Sequence, residues 1–571
     1  MRKTFVVAVA SAASALLLWS ADWASQSGNP QRDGWARNER DLTKDKIQDF
    51  HLLYKTRLDN KAVGLYALTS PIIIGNLITY RGFKEMLFVG GSSDNAFSID
   101  ADLNRVLWKT HFNVTGKSPS PTANCPGGLT GAVAMSGTSG LLRFGMGGRG
   151  PARGAVGPGR GGAAGARAGR GAANTVGMGR GPQMPRIFGG GFGGNGSIFL
   201  VSSDGYLRFV RESDGNDTAT PAIPFVPANA KVSSVNVSNT SIYAATVDGC
   251  FGNPNGIYGV DYGTDEHKVV SFMTNGSGPS GSGGTAASDK GEILAQIPDG
   301  HGDVAGNYND TVVALAPNTL DVKDYFTPQG DLPPVRKGVS TPGLTPAVFN
   351  WNGKELVAAG GRDGRVYLLD STSLGGSDHH TPLAKSDPIA TPDSNYSGNG
   401  LWGNFATWED EDNNIRWIYA SLWGPVNPAS KFASNNGDAS HGSVVAFKVE
   451  DRNGSPALVP QWVSSDILTP ASPATTNGLV FVLSSGESPR LAKENGKPYS
   501  VGEREKMASH AILYVLDGAT GKQIFSSGND ANTFSHASGV AIANGRVYFT
   551  THDSTVYSYG FPALEPQLTE R

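Results

Sequence analysis

The chain has 571 residues, 76 of them glycine, with 17% charged residues and a formal net charge of −3 at neutral pH. With no basic surplus, nothing in this balance implies a nucleic-acid partner. A chain this long ordinarily divides into several domains, but its even internal repeat points to one large domain over 22–571.

Residues 1–21 read as a secretory signal peptide. Arg2 and Lys3 supply the positive start, and Phe5 to Leu18 form a core of apolar and small residues. That core is shorter than the roughly 20 residues a membrane span needs, and no later stretch is apolar enough to span. Cleavage near Ala21 is expected, leaving a soluble protein that is periplasmic or secreted. Residues 22–35 then read DWASQSGNPQRDGW, and 51–58 read HLLYKTRL.

From there short apolar strands alternate with turn residues. The clearest unit is LYVLDGATGK at 513–522, a strand rich in β-branched and aromatic residues closed by an Asp-Gly-x-Thr-Gly turn. Seven further copies begin at Asn95, Asp204, Asn255, Asp310, Asp363, His441 and Asp553, making eight. Each follows a second apolar run: LFVGG at 87, IFLVSS at 198, IYAAT at 242, EILAQI at 292, ELVAAGG at 355, WIYASLW at 417, LVFVLSS at 479 and RVYFTT at 546. Paired strands in a repeating array, without a long helical period, suggest a closed ring of four-stranded sheets, because closure leaves only short edges.

The opening Trp23, the run Gly28-Asn-Pro-Gln-Arg-Asp-Gly-Trp35 and HLLYKTRL together resemble the start of the pyrroloquinoline-quinone (PQQ) enzyme-like β-propellers. The Leu-Asp-x-x-Thr-Gly-Lys strand resembles their repeat. The likeness spans nearly the whole mature chain. It implies an all-β, eight-bladed β-propeller of four-stranded antiparallel blades, in which the N-terminal strand 51–58 completes the last blade. Blades are then expected near 68–117, 118–228, 229–278, 279–338, 339–396, 397–467, 468–531 and 532–562.

The resemblance is specific for fold and weak for activity, since the family holds both quinoprotein dehydrogenases and non-catalytic scaffolds. Its dehydrogenases sandwich PQQ between a Trp and a disulfide of adjacent cysteines, hold Ca²⁺ through Glu and Asn, and use an Asp base. This chain has no Cys-Cys pair, and no position matches the calcium Glu or the base Asp. The family's docking motif, Ala-x-Asp-x-x-Thr-Gly-x-x-x-Trp, survives in part at 518–522, where Phe525 stands in the Trp position. Trp108 and Trp462 read as remnants at blade ends. A haem-attachment Cys-x-x-Cys-His is absent.

Residues 145–194 in blade two are almost entirely Gly, Ala, Arg and Pro, with seven Arg and no Asp or Glu. So few apolar side chains cannot offset ordering entropy, so a disordered insertion is expected. It is either a tolerated surface loop or a cationic arm for an anionic polymer or surface; without its arginines the rest carries −3 − 7 = −10.

In a propeller, the loop into a blade and the loop between its second and third strands share one face. By that rule His301, His441, His510, His536, Trp402, Trp423, Arg336 and Lys337 project to one end. They are either hydrogen-bonded loop residues facing solvent or a shared ligand site. Imidazoles suit base and ligand roles, and a concave end with Trp, His and Arg suits a planar or anionic ligand. No two of these histidines have tight metal-ligand spacing, so a protein-only metal site is not expected; the adjacent His379 and His380 read as a solvated loop. Cys125 and Cys250 fall on the same end in neighbouring blades, and in an oxidising compartment they are expected to pair.

Three functions are compatible with this pattern. One is an exported propeller serving as a ligand-binding or protein-assembly scaffold. Another is a PQQ-dependent oxidoreductase, with PQQ and Ca²⁺ as cofactors in the central funnel. The third is a propeller enzyme of another chemistry on a polysaccharide. Whether the chain is an enzyme stays open.

Overall fold

The structure is a computed structural model that describes residues 22–79, 82–114, 119–135, 196–298, 306, 308–330, 343–391 and 398–562. The expected signal at 1–21, the insertion at 145–194 and the candidates His301, Arg336 and Lys337 lie outside the described residues.

The described strands form eight sheets, and the chain is an all-β propeller of small antiparallel blades. The first sheet is Ile72–Thr79, Gly82–Gly91, Asn95–Asp100 and Arg105–His111, paired in chain order. The same meander recurs around the ring. The uniform four-strand unit expected from the repeat is kept in six sheets; one sheet has five strands and one has six. The six-stranded sheet holds the long strands Gly400–Asp410, Ile415–Trp423, Gly442–Arg452 and Ser455–Val463. Two two-residue strands, Leu344–Thr345 and Ser434–Asn435, add to it in parallel. Such short additions leave no local apolar pattern to read.

The ring is sealed by its two ends. His51–Arg57 pairs antiparallel with Thr555–Gly560, from His51 opposite Gly560 to Arg57 opposite Thr555. This is the closure the family resemblance implies, and it removes an open sheet edge. Apolar clusters fill the gaps between neighbouring sheets. Counting sheets in chain order, Leu87 and Phe97 of the first share one cluster with Phe481 of the seventh (474–526) and Phe549 of the eighth (541–560 with 51–57). Tyr419 and Trp462 of the sixth share another with Val480 and Leu516 of the seventh. Middle strands are therefore buried on both faces, as in Leu479–Ser484, where every residue is buried. That is why these strands read as continuous apolar runs rather than alternating ones.

Two tryptophans show how one sheet docks on the next. Trp108 Nε1 on the outer strand of the first sheet donates to Glu212 O of the second, 2.9 Å away. Trp462 Nε1 donates to Gly518 O of the seventh, also at 2.9 Å. Each indole lies over a glycine at positive φ: a Cβ on Gly215 or Gly521 would sit 2.6 or 2.3 Å from the ring. Only glycine allows both that backbone and that approach. Phe525, in the expected Trp position of the seventh sheet, instead packs edge-on against Phe50 and Tyr559, within the seal of the ring.

The start of the described chain runs through the axis of the ring. Residues 23–36 hydrogen-bond in turn to Ile73, Met135, Ala287, Val348, Thr407 and Thr475, which lie on the innermost strands of six sheets. At its centre Arg32 is fully buried. Its guanidinium donates to Gln26 O, Thr285 O and Val235 O at 2.6, 3.0 and 3.0 Å. Burial pulls its pKa down to about 9, which leaves it charged at neutral pH.

Candidate functional site

Beyond this axial segment lies a cavity of about 190 Å³ at the ring centre. Its walls come from loops leading into the blades, from connections between second and third strands and from strand ends, which is why residues far apart in sequence meet there. Ser282 and Ser472 line it, and both bind Asn404: Ser282 Oγ donates to Asn404 Oδ1 at 3.2 Å, and Ser472 Oγ accepts from Asn404 N at 2.9 Å. Asn404 Nδ2 in turn donates to Ser27 of the axial segment. The funnel therefore ends on a hydrogen-bonded floor.

Trp402, Trp423 and His536 of the expected residues line this cavity. The indoles of Trp402 and Trp423 stack on one another, and Leu491 packs against them. His441 lies elsewhere: it is exposed and bound through Nδ1 to Asp466, 2.7 Å away. His510 is half-buried and does not line the cavity; its Nε2 is buried and has no partner among the described residues. The His379 ring stacks on Tyr325 and bonds Asp324, and His380 Nδ1 contacts Thr327 O.

The charged heart of the cavity is Glu487, Arg504 and His536. Arg504 Nη2 donates to Glu487 Oε1 at 2.8 Å, and His536 Nδ1 lies 2.9 Å from Glu487 Oε2. All three are shielded, with side chains 7%, 5% and 15% exposed in the order Arg504, Glu487, His536. Burial pushes the Glu487 carboxyl up, but His536 and Arg504 outweigh it and hold it at about 2. Burial likewise moves His536 down from its ordinary value, against the pull of Glu487. The Tyr66 ring meets the His536 ring edge to face, with centroids 4.5 Å apart. Lys231 Nζ lies over the same Tyr66 ring and 2.6 Å from Asp248. Burial raises the Tyr66 hydroxyl above its usual range.

Glu487 and Arg504 escape a reading based on repeats. Both sit in the connection between Leu479–Ser484 and Ile512–Asp517, where the strand pattern is interrupted. Arg504 is carried by the helix Val501–Met507, whose N-terminus is closed by a capping box: Ser500 Oγ accepts from Glu503 N, and Glu503 Oε2 accepts from Ser500 N. Arg504 is the one buried residue of that helix. The Ser-x-x-Glu spacing was a legible sign of a helix, but nothing local marks its arginine as inward-facing.

The Cys125–Cys250 disulfide is present, with Cα atoms 5.3 Å apart. It ties the loop into the second sheet to a loop of the third. It stands at the cavity's edge, since the neighbouring Ala123, Asn124 and Val247 are part of the wall. Among the described residues no three His, Cys, Asp or Glu side chains group as a metal site. No helix among them is long and apolar enough to cross a membrane.

No family model matches the chain, and no curated protein matches it. Solved structures do. A quinohemoprotein alcohol dehydrogenase from Comamonas testosteroni aligns at 11% identity and TM-score 0.50, over 96% of this chain and 82% of that one. Another from Pseudomonas putida HK5 aligns at 10% and 0.51, over 96% and 82%. A europium-containing methanol dehydrogenase aligns at 9% and 0.51, over 95% of this chain and 98% of that one. At these identities the likeness shows a shared propeller fold, and activity has to be argued from the cavity itself.

Proposed function

We propose that this protein is a ligand-binding propeller whose central funnel takes one small polar organic molecule. The observation that carries the reading is the convergence, on a single cavity, of the Glu487–Arg504–His536 cluster, Lys231, Tyr66 and the Trp402 ring. A concave site with an apolar wall and a few placed polar groups is the usual form of a small-molecule site. The reading takes all eight sheets as blades of one ring. It favours ligand binding over protein assembly, because the polar groups converge inside the ring rather than on an outer face. The disulfide fits an oxidising compartment, so we place the mature protein in the periplasm or outside the cell. Thermal-shift measurements with alcohols, sugars and hydroxy acids test the proposal: stabilisation that Trp402→Ala removes supports it, and no response to any of these classes sinks it.

A second reading, a PQQ-linked oxidoreductase, is favoured by the fold shared with the alcohol and methanol dehydrogenases. A planar, polyanionic quinone needs a flat apolar face and cations, and the cavity offers Trp402, Lys231 and Arg504. The calcium of that chemistry finds no cluster of three acidic or His side chains among the described residues, and both Glu487 oxygens are already held by Arg504 and His536. These residues suit the quinone ring and not its metal, so no step is derived through either. Adding PQQ with and without Ca²⁺ separates the readings. A rise in Tm together with alcohol-dependent dye reduction favours the oxidoreductase, and neither response favours simple binding.

A further inference from the structure

The Glu487–His536 pair does more than join two blades. Glu487 is ionised and acceptor-only, with one oxygen on Arg504 and the other on His536 Nδ1. The proton between Glu487 and His536 therefore resides on Nδ1. In a neutral imidazole that leaves Nε2 as the acceptor. Nε2 has no hydrogen-bond partner among the described residues, and His536 lines the cavity. The ring cannot swing freely, because Tyr66 meets it edge-on. The groups facing it are Glu487, Arg504, Lys231 and Tyr66, with Lys231 itself paired to Asp248. Burial adds to the cations in keeping the ring neutral, and hence an acceptor.

We infer that His536 is the proton acceptor of the funnel: its Nε2, oriented by Glu487, takes a hydrogen bond and then the proton from a hydroxyl group of a small organic ligand. The inference rests on the ligand-binding reading above. The step balances within itself. The ligand O–H bond breaks, an N–H bond forms at Nε2, and the electron pair stays on the ligand oxygen. Glu487 stabilises the imidazolium, Arg504 and Lys231 lie on the same cavity as the oxyanion, and no electron is transferred. A carboxylate-oriented imidazole is an arrangement suited to general-base work.

Diethyl pyrocarbonate, which acylates unprotonated imidazole nitrogens, reads this site directly. Modification is followed by peptide mass spectrometry on the full chain between pH 5 and 8, with exposed His441 as the internal reference. The expected result has three parts. His536 reacts in the wild type, its rate falls about tenfold in Glu487→Gln, and L-lactate or D-glucose protects it while propionate, which has no hydroxyl, does not. His536→Gln, which keeps the Glu487–Arg504 pair, should abolish the pH dependence of lactate or glucose binding without unfolding the protein. If these ligands stabilise the protein but His536 is unreactive, or propionate protects equally, the proton-acceptor role is overturned and ligand binding stands. If no compound protects or stabilises, the ligand-binding reading falls, and the hydroxyl-acceptor role with it.

Discussion

The indole rings of Trp402 and Trp423 lie stacked, 4.0 Å between centroids and 17° from parallel. They come from adjacent antiparallel strands in which Trp402 faces Ser421 and Gly400 faces Trp423, so the stack is a diagonal cross-strand pair. Trp423 is buried and its Nε1 donates to Pro470 O at 3.0 Å, whereas Trp402 is half-buried at the cavity. Both rings line the cavity, but Trp423 is the more deeply buried and is tied to the backbone, so it carries more of the packing.

Trp423→Ala should cost about 3–5 kcal/mol, the range for truncating a buried aromatic. Trp402→Ala should cost about 1–2 kcal/mol, the pair interaction plus its partly buried area. Urea unfolding of both variants checks this. Equal losses would mean that Trp402 is as much a core residue as its partner.

The disulfide joins positions separated by 125 residues. Cys125→Ala with Cys250→Ala should lower stability by about 3–5 kcal/mol on the chain-entropy account of a long loop. Reduction of the wild type should bring its Tm to that of the double variant. A variant as stable as the oxidised wild type would show that the bridge only positions the funnel wall.

Arg32 is a buried cation whose guanidinium is held by three backbone carbonyls. Arg32→Met keeps bulk but removes three donors, and each carbonyl left short of a partner costs about 1–3 kcal/mol. Hydrogen exchange should show residues 23–36 losing protection, while the His51–Arg57 pairing with Thr555–Gly560 stays protected. Simultaneous loss in both segments would mean that the axial segment is integral to ring closure.

Acid should destabilise the protein in two stages. His536 is held below its ordinary 6.5 in the fold, so under that pH the unfolded chain takes up a proton that the folded state resists, and stability falls. Glu487 is held at about 2 against an ordinary 4.5. Its contribution is complete above about pH 4.5 and disappears as pH falls toward 2. Tm profiles should flatten between pH 5 and 7 in His536→Gln and below 4.5 in Glu487→Gln. Unchanged profiles would show that neither group titrates with folding.

Much of this protein is written locally. Strands such as 513–517 and 546–550 declare themselves by apolar runs ended by turn residues, because a blade strand buried on both faces needs no contribution from distant sequence to be recognised. The pairing of 51–57 with 555–560 was implied by the family resemblance, and the approach of Cys125 to Cys250 follows from the rule that places both loops on one face of a propeller. Residues 22–35 were legible only as a resemblance. That they run through the ring and bury Arg32 depends on backbone groups of six sheets, and those exist as a set only after closure. The same holds for the cavity. His441 and His536 share the Ser-His spelling, yet one faces solvent beside Asp466 and the other meets Glu487 and Arg504 inside the funnel. The sequence by itself determined a ring of short strands with polar residues at its loops. The tertiary structure alone decided which of those residues lose water and face one another, because desolvation and pairing are properties of the assembled interior and not of any segment.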